Sequence, residues 1–527
     1  MTVFILGAGV MQIPAIRTAA EMGWTVVVAD ANPAAPGADL ADHFLAVDLK
    51  DQEGLAAAAR GIRAEFGLDG VFTAGTDFSA SVAWVAQELG LPGISFETAL
   101  KASDKLKMRE AFAAAGVSSP RHVAATASDD PAIAAAGLAF PLVVKPADSM
   151  GSRGCRLVHD AAGLVAAIDA ALPHSRSGRA IVEDYIEGPE FSIDALVHDG
   201  EIHIRGVADR HIHFAPHFVE LGHTMPSAYP PQVIDEVLRV FRQAVRALGI
   251  NLGAAKGDMK FCPARGGAVV GEIAARLSGG YMSGWTYPYA SGVDVTREAL
   301  RLCVGLPLDP AHGDPDRGWV SAERAFISLP GKVASIFGCV GAERLPYVKQ
   351  LFLRVAPGDR VVFPTNNVEK CGNAISQAPT RAEAEGAAEA AAGMVLIRLA
   401  PDDPETELFL SSAPRHSAFS VVGDAAKELA AMPDHVDRAV AGPGPVAPFA
   451  RAESVEGRDW SGRGFAESAA LALEFAARRQ GPDIAAPGVL AGRFWRALAR
   501  GGLQAALYVL DTGPLAVEKA KGRGRPR

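Results

Sequence analysis

Four short β-rich runs, VFIL, TVVVAD, HFLAVD and GVFTAG, alternate with alanine-rich helical stretches over residues 1 to about 95. Strand–helix alternation of this kind specifies a parallel α/β sheet. The chain has 527 residues, enough for three or four domains. With 49 % hydrophobic and 21 % charged residues its composition is that of a globular protein.

The first strand runs into Gly7-Ala8-Gly9, the opening of a dinucleotide-binding fingerprint. The third glycine of that motif is replaced by Gln12, and Pro14 follows in the first helical turn. Asp30 ends the second strand, where the fingerprint places its ribose ligand. A Rossmann-like unit is expected here; a tight strand-to-helix turn explains the small residues as well as NAD binding does. Asp77, in FTAGTDFS, stands at the carboxyl end of a strand, where ligands of parallel sheets bind, but is expected to cap a helix.

Net charge is −9, which argues against a general nucleic-acid binder. The basic end, Lys519 to Arg527, contains Arg523-Gly524-Arg525-Pro526, similar to a minor-groove hook, although a solvated tail is the simpler reading. Five scattered cysteines without a CxxC pair fit a reducing cytoplasm and give no zinc site. No apolar run reaches about 18 residues, so no membrane span is expected. The chain starts in a strand with no basic segment ahead of it, so no signal peptide is expected.

Three later segments carry chemistry. In FPLVVKPADSMGSRGCRLV, Lys145 ends a β run. A small-residue loop with Ser149, Gly151, Ser152 and Gly154 leads back into a second run. Such a hairpin can offer backbone N–H groups to a triphosphate, or be an ordinary hairpin with an exposed lysine. It lacks Walker A spacing. In IVEDYIEGPEFSIDAL, Glu183 and Glu190 flank a turn, as a solvated sheet face or as ligands of an amine and a ribose. In GAAKGDMKFCPARGGAVVGEIAARLSGGY, two strands would set Asp258 opposite Glu272. Like charges held close call for a cation, and oxygen ligands suit Mg²⁺ carried with ATP. Arg276 follows, suited to a phosphoryl group or an anionic intermediate. Residues 101 to 116 read as one helix ended by Gly116.

These segments, in this order, resemble the ATP-grasp superfamily over roughly residues 1 to 400. The resemblance implies α/β and α+β architecture in four parts. These are a Rossmann-like pre-ATP-grasp domain (1–100), an ATP-grasp domain (101–310), a small strand-rich cap (311–400) and an accessory helical extension with the basic tail (401–527). It implies that the first βαβ unit is a support and not an NAD site. It assigns Lys105, Lys145 and the glycine loop to the phosphates. Glu183 and the backbone near Tyr185 would take the adenine amine, Glu190 the ribose, and Asp258 and Glu272 Mg²⁺, with Mn²⁺ as the alternative ion. Family members often carry asparagine two residues after the second metal acid; here Ala274 stands there.

The expected activity is that of an ADP-forming carboxylate–amine ligase, similar to the amino-acid-ligase and carbamoyl-phosphate-synthetase-like branches. A carboxylate attacks the γ-phosphate and an amine then displaces phosphate from the acyl phosphate. The alternatives are a carboxylase or phosphotransferase using bicarbonate or a formyl donor, and a non-catalytic ATP-binding regulator. The partners expected are a small carboxylate and an amine, with a homodimer left open. The stretch FVELGHTMPS resembles the acceptor side of amino-acid-ligase-like members, which singles out Glu220 and His223 beside Arg276. His211, His213 and His217 read equally as a solvated loop, substrate contacts or metal ligands. Tyr281, Trp285 and Tyr287 read as core or as the wall of an apolar pocket.

Overall fold

The computed structural model describes residues 1–127, 135, 137–310, 318–412, 416–432, 455–480 and 492–522. The segment AGPGPVAP and residues 523–527 of the basic tail lie outside them. The chain divides into two compact units: residues 1–323 with 365–367 and 377–384, and residues 324–364, 368–376 and 385–527.

The first unit opens with β1 (Thr2–Leu6), β2 (Thr25–Asp30), β3 (His43–Ala46) and β4 (Gly70–Phe72), a sheet of order β3-β2-β1-β4 whose neighbours all run parallel. Val3 and Ile5 bury on one face with Ile16 and Ala19; Phe4 and Leu6 bury on the other with Leu55, Ala59 and Ile62. That two-sided burial is why VFIL is apolar at every position.

The expected helix over 101–116 is two helices, Phe96–Ser103 and Lys105–Ala114. Asp104 leaves helical geometry between them (φ −116, ψ 114), and its side chain accepts from the N–H groups of Leu106 and Lys107. An aspartate offers an N-cap that an uninterrupted helix would forgo.

Next comes a four-stranded antiparallel sheet of order β5-β8-β6-β7, formed by β5 (His122–Ala125), β6 (Leu142–Pro146), β7 (Arg156–Val158) and β8 (Ala180–Asp184). The glycine loop joins β6 to β7 as a hairpin, as expected. Then β9 (Glu190–His198), β10 (Glu201–His213), β11 (Val219–Met225), β12 (Gly253–Cys262) and β13 (Gly267–Ala274) run in the order β13-β12-β9-β10-β11 within the largest sheet. Glu183 and Glu190 thus lie on strands of different sheets, not on one solvated face.

Alternation gives these five strands two unlike faces. Phe191, Ile193, Ala195 and Val197 of β9, with Ala255 and Met259 of β12, pack on Val237, Phe241, Ala244 and Val245 of the helix Pro231–Leu248. Glu190, Ser192 and Asp194, with Lys256, Asp258 and Lys260, occupy the opposite positions of the same two strands.

The second unit includes the antiparallel pairs Gly331–Phe337 with Leu396–Leu399 and Val348–Leu353 with the strand beginning at Gly372. The C-terminal helices pack inside this unit. Phe494, Trp495, Leu498, Leu503 and Leu507 join Phe419 and Phe465 in one core, and Tyr508 joins Leu329, Val333 and Ile397 in another. Arg398 and Asp511 are ion-paired between the two segments. No described helix is long and apolar enough to cross a membrane.

A Cβ on Gly257 would lie 2.6 Å from the Phe241 ring. Gly257→Ala is therefore expected to destabilise the protein by about 1–3 kcal/mol through overpacking. Urea unfolding checks it; an unchanged midpoint would show that the helix is free to shift.

Candidate functional site

A buried arginine ties the four-stranded sheet to β13, and Arg265, in the turn between β12 and β13, adds a second link through Asp184 of β8 at 2.9 Å. Arg109, fully buried on the helix Lys105–Ala114, donates from Nε to Glu183 Oε1 (2.8 Å) on β8 and from Nη2 to the Gly271 carbonyl (2.7 Å) on β13. Lys145 Nζ lies 2.6 Å from Glu183 Oε2. Burial would raise the Glu183 pKa, but Arg109 and Lys145 outweigh it and hold the carboxyl near about 2.

Lys105, at the first turn of the same helix, is buried. Its Nζ donates to the Ser149 carbonyl (2.7 Å) and lies 3.6 Å from Glu272 Oε2. The glycine loop is held open in left-handed geometry at Gly151 (φ 72), Ser152 (φ 61) and Gly154 (φ 67). A side chain at 154 would meet Ala171 and His174. The Gly151 carbonyl accepts from Asn367 N–H at 3.0 Å. Asp148 fixes the loop base by accepting from Ser175 Oγ and the N–H groups of Arg176 and Ser177. Tyr185 N–H donates to the Pro141 carbonyl, and Lys260 Nζ stands 4.9 Å over the Tyr185 ring while donating to Ile186 O.

Asp258 and Glu272 are register partners across β12 and β13, beside a bulge at Asp258/Met259. The expected approach of the two carboxylates is thus built into the strand pairing. Burial opposes ionisation of Glu272, but Lys105 and Lys256 hold its pKa below the usual range. Asp258 pairs with Lys256 and lies 2.9 Å from Arg210 Nη1. Arg210 also reaches Glu190 (3.3 Å) and Glu220 (2.7 Å); burial would lower its pKa, but Asp258, Glu220 and Glu190 outweigh that and raise it. Lys260 takes the other Glu190 oxygen at 2.8 Å. The donor set of two facing carboxylates is all-oxygen and fits a hard cation that brings phosphate oxygens with it. Among the described residues no group of three or more His, Cys, Asp or Glu could hold a metal. The histidines are thus no metal cluster there.

Arg276 is buried, bonded through Nη1 to Leu277 O and through Nη2 to Met150 Sδ of the glycine loop. Burial pulls its pKa down against nearby Asp77 and Glu272. Asp77 is not the expected helix cap: Phe78 holds the N-cap position without a side-chain bond. Asp77 Oδ2 instead accepts from Arg176 Nη2 at 2.8 Å, because the helix starts after it and an arginine lies within reach. Gln12, in place of the third fingerprint glycine, donates to the buried Ala74 carbonyl at 2.6 Å. Ala74 bridges Leu277, the neighbour of Arg276. Asp30 accepts from Ala8 N–H of the Gly7–Gly9 turn, so it closes the turn itself.

Glu220 N–H donates to Asn367 Oδ1. His223 is fully buried; its Nε2 lies 2.9 Å from Thr286 Oγ1, and its Nδ1 3.3 Å from Glu323 and 3.8 Å from Glu220. His211 Nε2 lies 3.1 Å from Thr224 Oγ1. Tyr287 is core: fully buried, its OH accepts from Asp194 N–H and donates to Gly206 O. Burial pushes Asp194 up to about 6, although Ser278 donates to it from N–H and Oγ.

Sequence reasoning did not single out Arg109, Arg210, Lys256 or Lys260. The signal was present: Lys256, Asp258 and Lys260 share a strand face by alternation, and Arg109 lies one helical turn after Lys105.

Family models match the chain in three places. They are an ATP-grasp N-terminal domain at residues 16–93, an ATP-grasp domain at 138–283 and an L-amino acid ligase C-terminal domain 2 at 324–400. An uncharacterized protein of Sinorhizobium fredii is 26 % identical over 344 residues, covering 64 % of this chain and 70 % of that protein. The alanine–anticapsin ligase of Bacillus subtilis is 26 % identical over 271 residues, which span 47 % of this chain and 57 % of the relative's length. The crystal structure of an L-amino acid ligase from Bacillus licheniformis superposes with a TM-score of 0.66 at 21 % identity. It covers 76 % of this chain and 98 % of that one, a likeness of fold.

Glu183→Gln leaves Arg109 buried without its counter-charge and is expected to cost about 3–5 kcal/mol at neutral pH. The Glu183 pKa is depressed on folding, so its contribution is present above the unfolded value of about 4.3 and is lost as pH falls toward about 2. Urea unfolding of both proteins between those limits should show the gap closing with acid; a pH-independent gap would contradict the assignment.

Proposed function

The chain belongs to the ATP-grasp superfamily, and from its cleft we propose an ATP-dependent ligase. It activates a small carboxylate as an acyl phosphate, joins it to an amine, and releases ADP and phosphate. The observation that carries this reading is one polar sheet face with Asp258 opposite Glu272, approached by Lys105 and bordered by the loop that Lys105 and Arg276 hold.

In this reading Lys105, Lys145 and the loop residues Ser149, Gly151, Ser152 and Gly154 hold the triphosphate. Backbone groups near Tyr185 take the adenine. Glu183 keeps lone pairs beyond its two ion pairs for the adenine amine, and it orients Lys145. Glu190 takes the ribose. Asp258 and Glu272 hold Mg²⁺, which when bound neutralises charge on the β- and γ-oxygens. Arg276 steadies the negative charge that develops as the carboxylate attacks. Glu220 faces the acceptor side. His223, being buried, acts by positioning Glu220 and Glu323 rather than by touching substrate.

The amino-acid branch is favoured by the L-amino acid ligase domain match and by relatives named as alanine–anticapsin ligase and carnosine synthase. We take the substrate acid and amine to be amino-acid-like. Five free cysteines support a reducing cytoplasmic setting. The proposed parts 1–100, 101–310 and 311–400 each contain the whole range of one matched family model; 401–527 is the accessory extension.

The test is ADP and phosphate release from Mg²⁺-ATP against amino acids, hydroxy acids, acyl acids and bicarbonate, with products identified by mass spectrometry. One carboxylate plus an amine should raise turnover and yield an amide. Lys145→Ala and Glu272→Ala should each lower kcat by about 10²–10³-fold, the scale of losing one charge-stabilising group. Stimulation by bicarbonate alone would favour the carboxylase alternative. Nucleotide binding without turnover of any acid would favour the regulator.

A further inference from the structure

The cross-strand partner of Ala274 is Lys256. The next residues on the same face are the partners Asp258 and Glu272. Lys256 therefore stands opposite a methyl group, and its ammonium turns along β12 to Asp258 Oδ2. Arg210 Nη1 lies 2.9 Å from Asp258 Oδ1. Both oxygens of Asp258 thus face cations that belong to the chain, Oδ2 by a hydrogen bond from Lys256 and Oδ1 by ion-pair contact with Arg210 without hydrogen-bond geometry. Glu272 is different: Lys105 approaches it only to 3.6 Å, beyond a direct hydrogen bond.

We propose that the cleft takes one divalent cation, carried on Glu272. The Lys256 ammonium, paired with Asp258 across from Ala274, supplies the positive charge that a second ion would bring. This rests on the ATP-dependent reading above and replaces one part of it: Asp258, given there to the metal, stays with Lys256 and Arg210, and Glu272 alone carries the ion.

The coordination chemistry favours that count. Mg²⁺ demands near-octahedral oxygen ligation at roughly 2.0–2.1 Å. One ion can fill its shell from Glu272, phosphate oxygens and water. A second would have to strip Lys256 and Arg210 from Asp258 and then lie beside two displaced cations. The methyl group of Ala274 offers it no oxygen. A lysine ammonium is a compact point charge that can neutralise phosphate without any coordination geometry.

The experiment is a Mn²⁺ titration of the full chain with saturating adenylyl imidodiphosphate, counting bound ions by electron paramagnetic resonance. The wild type should bind about one Mn²⁺ per chain, and so should Lys256→Arg, which keeps the charge. Asp258→Asn should keep that ion, whereas Glu272→Ala should lose it. Lys256→Met combined with Ala274→Asn should raise the count to about two. A wild-type count of about two, or loss of the ion on Asp258→Asn, overturns the proposal while nucleotide binding leaves the ligase reading standing. Should the double variant fail to fold, the wild-type and Asp258→Asn counts decide alone. Failure of the wild type to bind the nucleotide analogue overturns both readings.

Discussion

Arg109 is the contact on which the cleft depends. It is fully buried, and its guanidinium joins a carboxylate on β8 to a carbonyl on β13. A lysine in that place would offer a point charge, not a planar fork reaching two partners at once. Because Glu183 is also the anchor of Lys145, the same contact fixes a cation at the mouth of the glycine loop. Removing charge from water in this way is costly unless each ion is paired. The Arg109–Glu183–Lys145 set meets that condition.

The larger sheet shows how one strand serves packing and chemistry together. On β12 the odd positions Ala255, Gly257 and Met259 meet the helix Pro231–Leu248, and the even positions Lys256, Asp258 and Lys260 face the cleft. A one-residue slip in register would exchange the two sets, burying three charges against Phe241 and Val237. The charged face is therefore held by the apolar one. Cations and carboxylates interleave on it: Lys260 and Arg210 with Glu190, Arg210 and Lys256 with Asp258, Lys105 near Glu272. In the proposed ligase, ATP with its metal would meet a face whose charges are already paired within the chain.

The architecture was legible where local pattern decides it. The four N-terminal strands, the glycine-loop hairpin and the Asp258–Glu272 pairing all follow from alternation and turn residues near in sequence. What escaped depends on contacts between distant segments. Nothing local marks Arg109 as the partner of both Glu183 and Gly271, which lie 74 and 162 residues away. Arg210 appears unremarkable until β9, β11 and β12 surround it. Asp77 and Asp104 show the same limit in small. Each is an aspartate near a helix start, yet Asp104 caps and Asp77 pairs with Arg176. The incomplete glycine fingerprint is explained by Gln12, whose amide reaches Ala74 and so supports the segment carrying Arg276.

An acyl phosphate is the intermediate that the proposed ligase chemistry requires. The direct measurement uses the acid that supports ADP release, labelled with ¹⁸O in its carboxylate, and follows the label by mass spectrometry. Attack of that carboxylate on the γ-phosphate, followed by displacement by the amine, carries one labelled oxygen into the released phosphate. Label in the phosphate, with ADP as the nucleotide product, is the predicted result. Unlabelled phosphate, or AMP in place of ADP, would contradict the mechanism and the roles given to Lys145 and Arg276.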